Sequence, residues 1–138
     1  MRAAEFKGKI DHSTAGAQWL WHRLSNYGDQ GKLIGQILAL CLVSHHGGII
    51  DCLLPEGKNG FLKRIAKNDK VTHLEECLKL CEKELVDKLE ELTSDAFIKD
   101  LWAKIVTAYK PNQKEPERLK MFRLGFFTRF LFSCLIDA

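Results

Sequence analysis

His12, His45 and His46 are the residues whose types and spacing suit chemistry best. Neutral imidazole is a good ligand for transition metals. His45 and His46 are adjacent, and adjacent residues on a continuous helix point about 100° apart. Both can face one ion only where the helix ends. Gly47-Gly48 supplies such an ending, and the electronegative C-terminal end of a helix favours a cation. His12, at the start of a helix able to pack on this one, completes a candidate cluster. The plainer alternative is a surface helix terminus with two solvated histidines.

Other groups compete less well. His73, Cys77 and Cys81 are spaced four apart on one helical face, a pattern that can hold a soft metal. The two thiols also continue the apolar stripe of Leu74, Leu78 and Leu85, and core thiols are the preferred reading. His22 stands among tryptophans with no partner in sequence and reads as packing or surface. Lys63, Arg64, Lys67 and Lys70 form a basic run, and Arg118, Lys120, Arg123 and Arg129 decorate the final segment. Either set can touch phosphates, and either can be a solvated face. There is no Walker-type loop, no G-x-S-x-G elbow and no Cys/His nucleophile pattern.

The elements that must position these residues read as helices. The 138 residues suit one domain, 1–138, with a substantial core. A composition of 46% hydrophobic and 28% charged residues excludes general disorder. The net charge of +3 is small, but residues 73–100 carry −5 and the remainder +8. A partner with phosphates would prefer the remainder. No segment reads as membrane-spanning, since the most apolar stretch, 124–136, is short and contains Arg129. No signal peptide is visible in 1–12. Five cysteines without C-x-x-C spacing suggest buried free thiols and a reducing cytoplasm.

Periodicity predicts a first helix over 12–27, capped by Asp11 or Ser13. Its Ala15, Gly16 and Ala17 would let another helix approach closely. Gly28, Asp29 and Gly31 suggest a turn. Residues 32–46 are apolar nearly all round, so this second helix should be central. Residues 49–60, with Pro55, Gly57 and Gly60, read as a loop, followed by a short basic helix near 61–68. A long amphipathic helix is expected over 73–92, with an acidic outer face. Ser94 caps the next helix, which Pro111 closes after Tyr109. Pro116 opens the last helix, which carries Phe122, Phe126, Phe130 and Cys134 to the end of the chain. No stretch alternates as a strand, so the expected class is all-α.

Three blocks resemble a known family. Asp11-His12-Ser13-Thr14-Ala15-Gly16-Ala17-Gln18 is similar to a signature of CRISPR-associated HD nucleases. These domains are joined to, or work with, the large helicase of type I CRISPR interference. Ser44-His45-His46-Gly47-Gly48, within 38–51, resembles that family's second signature. Leu131-Phe132-Ser133-Cys134-Leu135-Ile136-Asp137-Ala138 resembles its last helix. Residues 52–115 add little to the likeness.

The resemblance implies an HD-domain-like helical bundle holding two divalent ions and cleaving single-stranded DNA, or RNA, in the cytoplasm. It implies that His12, His45 and His46 serve the second ion. Such ions clamp the scissile phosphate and prepare a hydroxide. Imidazoles suit Mn, Co, Ni or Fe, with Mg a further option. Lys63, Arg64 and Lys67 would guide the strand. The implied partners are single-stranded DNA, the CRISPR helicase domain and the type I surveillance complex.

The chain also departs from the family. No earlier histidine and no His-Asp doublet precede His12, so the catalytic residues are unassigned. The family's final aspartate would follow Ala138, and Asp137 lies on a different helical face. The expectation is an incomplete bundle, cut at both ends. It would be a nuclease fragment, half of a split nuclease, or a catalytically inactive binding module. An HD nucleotide phosphohydrolase fits the signatures less well. Apolar surface left uncovered, that of the second helix foremost, would promote self-association.

Overall fold

The computed structural model describes residues 11–52, 56–109 and 114–137. These residues form helices with no strand among them, which establishes an all-α fold. The chain enters α1 (His12–Leu24) at Asp11, whose carboxylate accepts from the Thr14 amide at 3.1 Å. Ser13, the other expected cap, instead donates its hydroxyl to Asp11 at 3.0 Å.

The second helix, α2 (Gly28–Ser44), starts earlier than expected. Gly28 takes the left-handed conformation (φ 67°) that reverses the chain, but Asp29 and Gly31 already lie in the helix. Packing explains the glycine at 31. A Cβ there would fall on the Leu24 carbonyl oxygen and lie 2.7 Å from the Tyr27 Cβ. Gly35, one turn on, would place its Cβ 3.0 Å from that of Leu24. Close approach was expected from Ala15, Gly16 and Ala17. Ala15 and Ala17 are buried, but Gly16 is exposed. Gly31→Ala should therefore destabilise by about 2–3 kcal/mol despite its better helix propensity. Urea unfolding checks this; a more stable variant would refute the contact.

As expected, α2 is the central helix. It buries Ile34, Ile37, Ala39, Leu40, Cys41 and Val43. Toward its C-terminal end, Ala17, Leu40, Val43, Phe61 and Ile65 form one core cluster, which brings in α3 (Gly60–Ile65). Toward its N-terminal end, Leu24 and Ile34 meet Ile98 of α7 (Asp95–Tyr109). Ser94 caps α7 by accepting from the Phe97 amide at 3.3 Å. Pro55 and Pro111 lie outside the described residues.

The single helix expected over 73–92 is instead two pieces, α5 (Leu74–Leu80) and α6 (Lys83–Leu92), preceded by the single turn α4 (Asp69–Thr72). His73 sits in the left-handed region (φ 53°), and Cys81 and Glu82 are extended. The pieces serve different neighbours: α5 packs on α1, while α6 packs on α7. Neither buries a residue fully, so no continuous core holds them in one line. The expected burial of thiols also fails in part. All five cysteines are free, but only Cys41 is buried, and Cys77 and Cys134 are exposed.

The last helix, α8 (Glu117–Ile136), starts directly after Pro116. Its Phe122, Phe126 and Phe130 are 70%, 68% and 58% exposed. They edge an apolar groove of about 1050 Å³ with Ile37 of α2 and Trp102 and Ile105 of α7. The uncovered apolar surface thus lies mainly on α8, because α1 already covers much of α2 and α7 and α8 pack on it as well. No helix of the described residues is long and apolar enough to cross a membrane.

Candidate metal centre

A short link, Ser25–Tyr27, joins α1 to α2, and the two helices form the most extensive helix pair of the fold. The start of α1 thereby meets the end of α2. His12 is the first residue of α1. His45 caps α2, and His46 follows in the turn that Gly48 (φ 84°) completes. The helix does end where adjacent histidines need it to end.

The three rings converge. The His12 and His46 Nε2 atoms lie 2.6 Å apart. Ring centroids are 5.7 Å apart for His12–His45, 4.7 Å for His12–His46 and 3.8 Å for His45–His46. Each ring offers one nitrogen, and these three lie within 4.8 Å of one another. Donors sharing one ion at ~2.1 Å each lie roughly 3–3.5 Å apart, so binding an ion would part the His12 and His46 nitrogens slightly and draw the widest-spaced donors together.

Electrostatics suit a cation. His45 Nδ1 lies 2.5 Å from the Leu42 carbonyl oxygen. An N–H at Nδ1 satisfies that carbonyl, fixes the tautomer and leaves Nε2 with a free lone pair. Partial desolvation, then the neighbouring His45 and His12, push the His46 pKa down. A lowered pKa keeps His46 neutral, the state that ligates. His45 is half-buried, while His12 and His46 are exposed, so the site is open to solvent.

No carboxylate joins this group among the described residues. Asp11 adjoins His12 in sequence but faces the other way. Its Oδ2 pairs with Lys67 Nζ at 2.5 Å and with Arg64 at 3.3 Å. Burial pulls the Asp11 pKa up, but the Lys67, Thr14 and Ser13 hydrogen bonds outweigh it and hold the carboxyl well below the usual range. A depressed carboxyl contributes stability above its unfolded pKa, and that contribution is lost as pH falls through the folded one. Metal-free protein should thus lose stability below about pH 4. Asp11→Asn keeps an acceptor for the cap and should flatten that acid dependence, while Asp11→Ala should cost about 2 kcal/mol at neutral pH. Thermal melting across pH measures both; an unchanged acid profile in the Asn variant would contradict the assignment.

The expected phosphate contacts separate into two roles. Arg64 and Lys67 hold Asp11, whereas Lys63 is exposed and has no ion-pair partner among the described residues. All three line a cleft of about 580 Å³ with Gly47, Gly48 and Asp51. Sequence reasoning missed Gln18, which latches α3 to α1. Its buried amide donates to the Ile65 carbonyl at 2.8 Å and the Lys67 carbonyl at 2.7 Å. The only prior signal was its place beside Ala17 in the first block.

The remaining candidates do not assemble. His73, Cys77 and Cys81 form no ligand group among the described residues, because the helix breaks at His73 and at Cys81. His73 faces Glu76 at 3.3 Å instead. His22 is exposed, in keeping with a surface role. On α8, Arg123 pairs with Glu115 at 3.0 Å and Lys120 with Glu117 at 3.5 Å. Comparison of the chain with protein-family models, curated proteins and solved structures gives no match.

Proposed function

We propose that this chain is a divalent-metal-binding, HD-nuclease-like domain that acts on single-stranded DNA in CRISPR interference. The observation that carries the reading is the convergence of His12, His45 and His46 within 4.8 Å. Two of the three sequence blocks that resemble the family supply those histidines. A bound Mn, Co, Ni or Fe would polarise a phosphate oxygen and supply hydroxide near neutral pH.

The chain's own residues have defined parts in this reading. His45 is oriented by the Leu42 carbonyl, and desolvation, then the neighbouring His45 and His12, favour the neutral form of His46. His12 closes the group from the other helix. Asp11, Arg64 and Lys67 fix the start of α1 against α3 and so fix His12. The proposed partners are single-stranded DNA or RNA, the CRISPR helicase domain and the type I surveillance complex, in the cytoplasm.

One observation favours a second reading. A hydrolytic two-metal centre uses carboxylates, and none joins the histidines among the described residues. The domain would then bind metal and nucleic acid while another chain supplies the missing ligands, or bind without cleaving. Calorimetry with Mn, Co and Ni at neutral pH, followed by incubation with circular single-stranded DNA, separates these cases. Metal binding with cleavage supports the nuclease. Metal binding in folded protein without cleavage supports the second reading. Absence of metal binding would remove both. Preferential hydrolysis of nucleotides over DNA would point to an HD phosphohydrolase.

A further inference from the structure

Gly47 stands at a place where the fold itself does not ask for glycine. Its φ is not in the left-handed region, and a Cβ built on it would meet nothing within 4 Å. Neither backbone strain nor packing explains the residue. Gly48 differs, since its φ of 84° favours glycine directly. Gly47 directly follows His46 in the chain and, with Gly48, lines the cleft that holds the basic run of α3, so a side chain at 47 would stand between the two. Glycine lets a ligand come close to the backbone.

Charge across that cleft is uneven. The α3 side presents Lys63, Arg64 and Lys67. Arg64 and Lys67 are held by Asp11, at 3.3 Å and 2.5 Å. Lys63 is exposed and without an ion-pair partner among the described residues. Asp51, also exposed, is the one acidic residue lining the cleft. An anion in the cleft therefore sits toward Lys63 and away from Asp51.

We propose that this cleft is a phosphate subsite for the strand presented to the histidine centre, with Lys63 as its cation and the Gly47-Gly48 backbone as its floor. The inference rests on the proposed function and adds a positioning site to it. The ligand is a backbone phosphodiester next to the one at the metal, so contact there carries no base preference. Lys63 positions the strand and does not touch the metal. Gly47 keeps the path from cleft to metal clear.

The test is binding of a fluorescent oligothymidylate to the whole chain, by anisotropy, with and without Mn. Lys63→Ala should weaken binding about 5- to 10-fold and lower the salt slope by about one. Gly47→Val should weaken binding comparably. Asp51→Asn should tighten it. Melting temperature and calorimetric Mn affinity should stay at wild-type values in the Lys63 variant. Arg64→Ala serves as the contrast, since it should lower the melting temperature through the loss of an Asp11 partner. Wild-type strand affinity in both Lys63→Ala and Gly47→Val would overturn the subsite while leaving the metal reading untouched. Lys63-dependent binding in a protein that takes up no Mn would uphold the subsite and remove the metal reading. No oligothymidylate binding by folded wild-type protein would overturn the subsite.

Discussion

Replacing His45 and His46 together by alanine is expected to abolish binding of Mn, Co or Ni, a loss of at least ~100-fold in affinity. Two of the three donors that lie within 4.8 Å disappear in that variant. His12→Ala alone leaves the adjacent pair and should cost at least ~10-fold. The fold should survive, because His46 is exposed and His45 lies beyond the last turn of α2. Substitutions of that kind change stability by about 0.5 kcal/mol or less. Calorimetry gives the affinity and urea unfolding gives the control. Any single-stranded DNA cleavage seen with wild-type protein should vanish in step with the metal. Cleavage that persists in the double variant would place the chemistry elsewhere. Protons compete with metal for imidazole, so affinity should fall as the solution is acidified. The lowered pKa of His46 moves its share of that loss to lower pH.

Phe61→Ala should be the most damaging single truncation, at about 3–5 kcal/mol. Phe61 is 1% exposed and meets Trp21 edge-on at a centroid distance of 5.6 Å. It shares a cluster with Ala17, Leu40, Val43 and Ile65, the contact that seats α3 against α1 and α2. The loss is a large part of the ~5–15 kcal/mol that holds a typical domain together. The buried apolar residues lie on α1, α2, α3 and α7 among the described residues, since α5 and α6 bury no residue and α8 buries only Thr128. Urea unfolding should show a lower midpoint, and Mn should raise the melting temperature of the variant if the native state binds it. A cost below about 1 kcal/mol would mean that α3 contributes little to the core.

The sequence alone carried much of this. Helical periodicity marked the all-α class, and Asp11 and Ser94 marked two helix starts through their side-chain oxygens. The all-round apolar character of 32–46 identified α2 as the centre. The pair His45-His46 before Gly47-Gly48 announced a helix end at which both rings can turn the same way. Each of these follows from local rules, namely the helical period, capping chemistry and the conformational freedom of glycine.

Other features depended on partners distant in sequence. Gly31 looked like a turn residue, yet it lies within α2, and it is glycine because Leu24 and Tyr27 leave no room for a Cβ. The leucine spacing of 73–92 looked continuous, yet the segment breaks where α5 and α6 turn to different neighbours. Arg64 and Lys67 looked like phosphate contacts equal to Lys63, until Asp11, 53 and 56 residues away, took them. A side chain's type states what it can bind. Which partner it meets is decided by the packing of α1, α2 and α3, because an ion pair or a steric clash acts only over a few ångströms in space, whatever the separation along the chain.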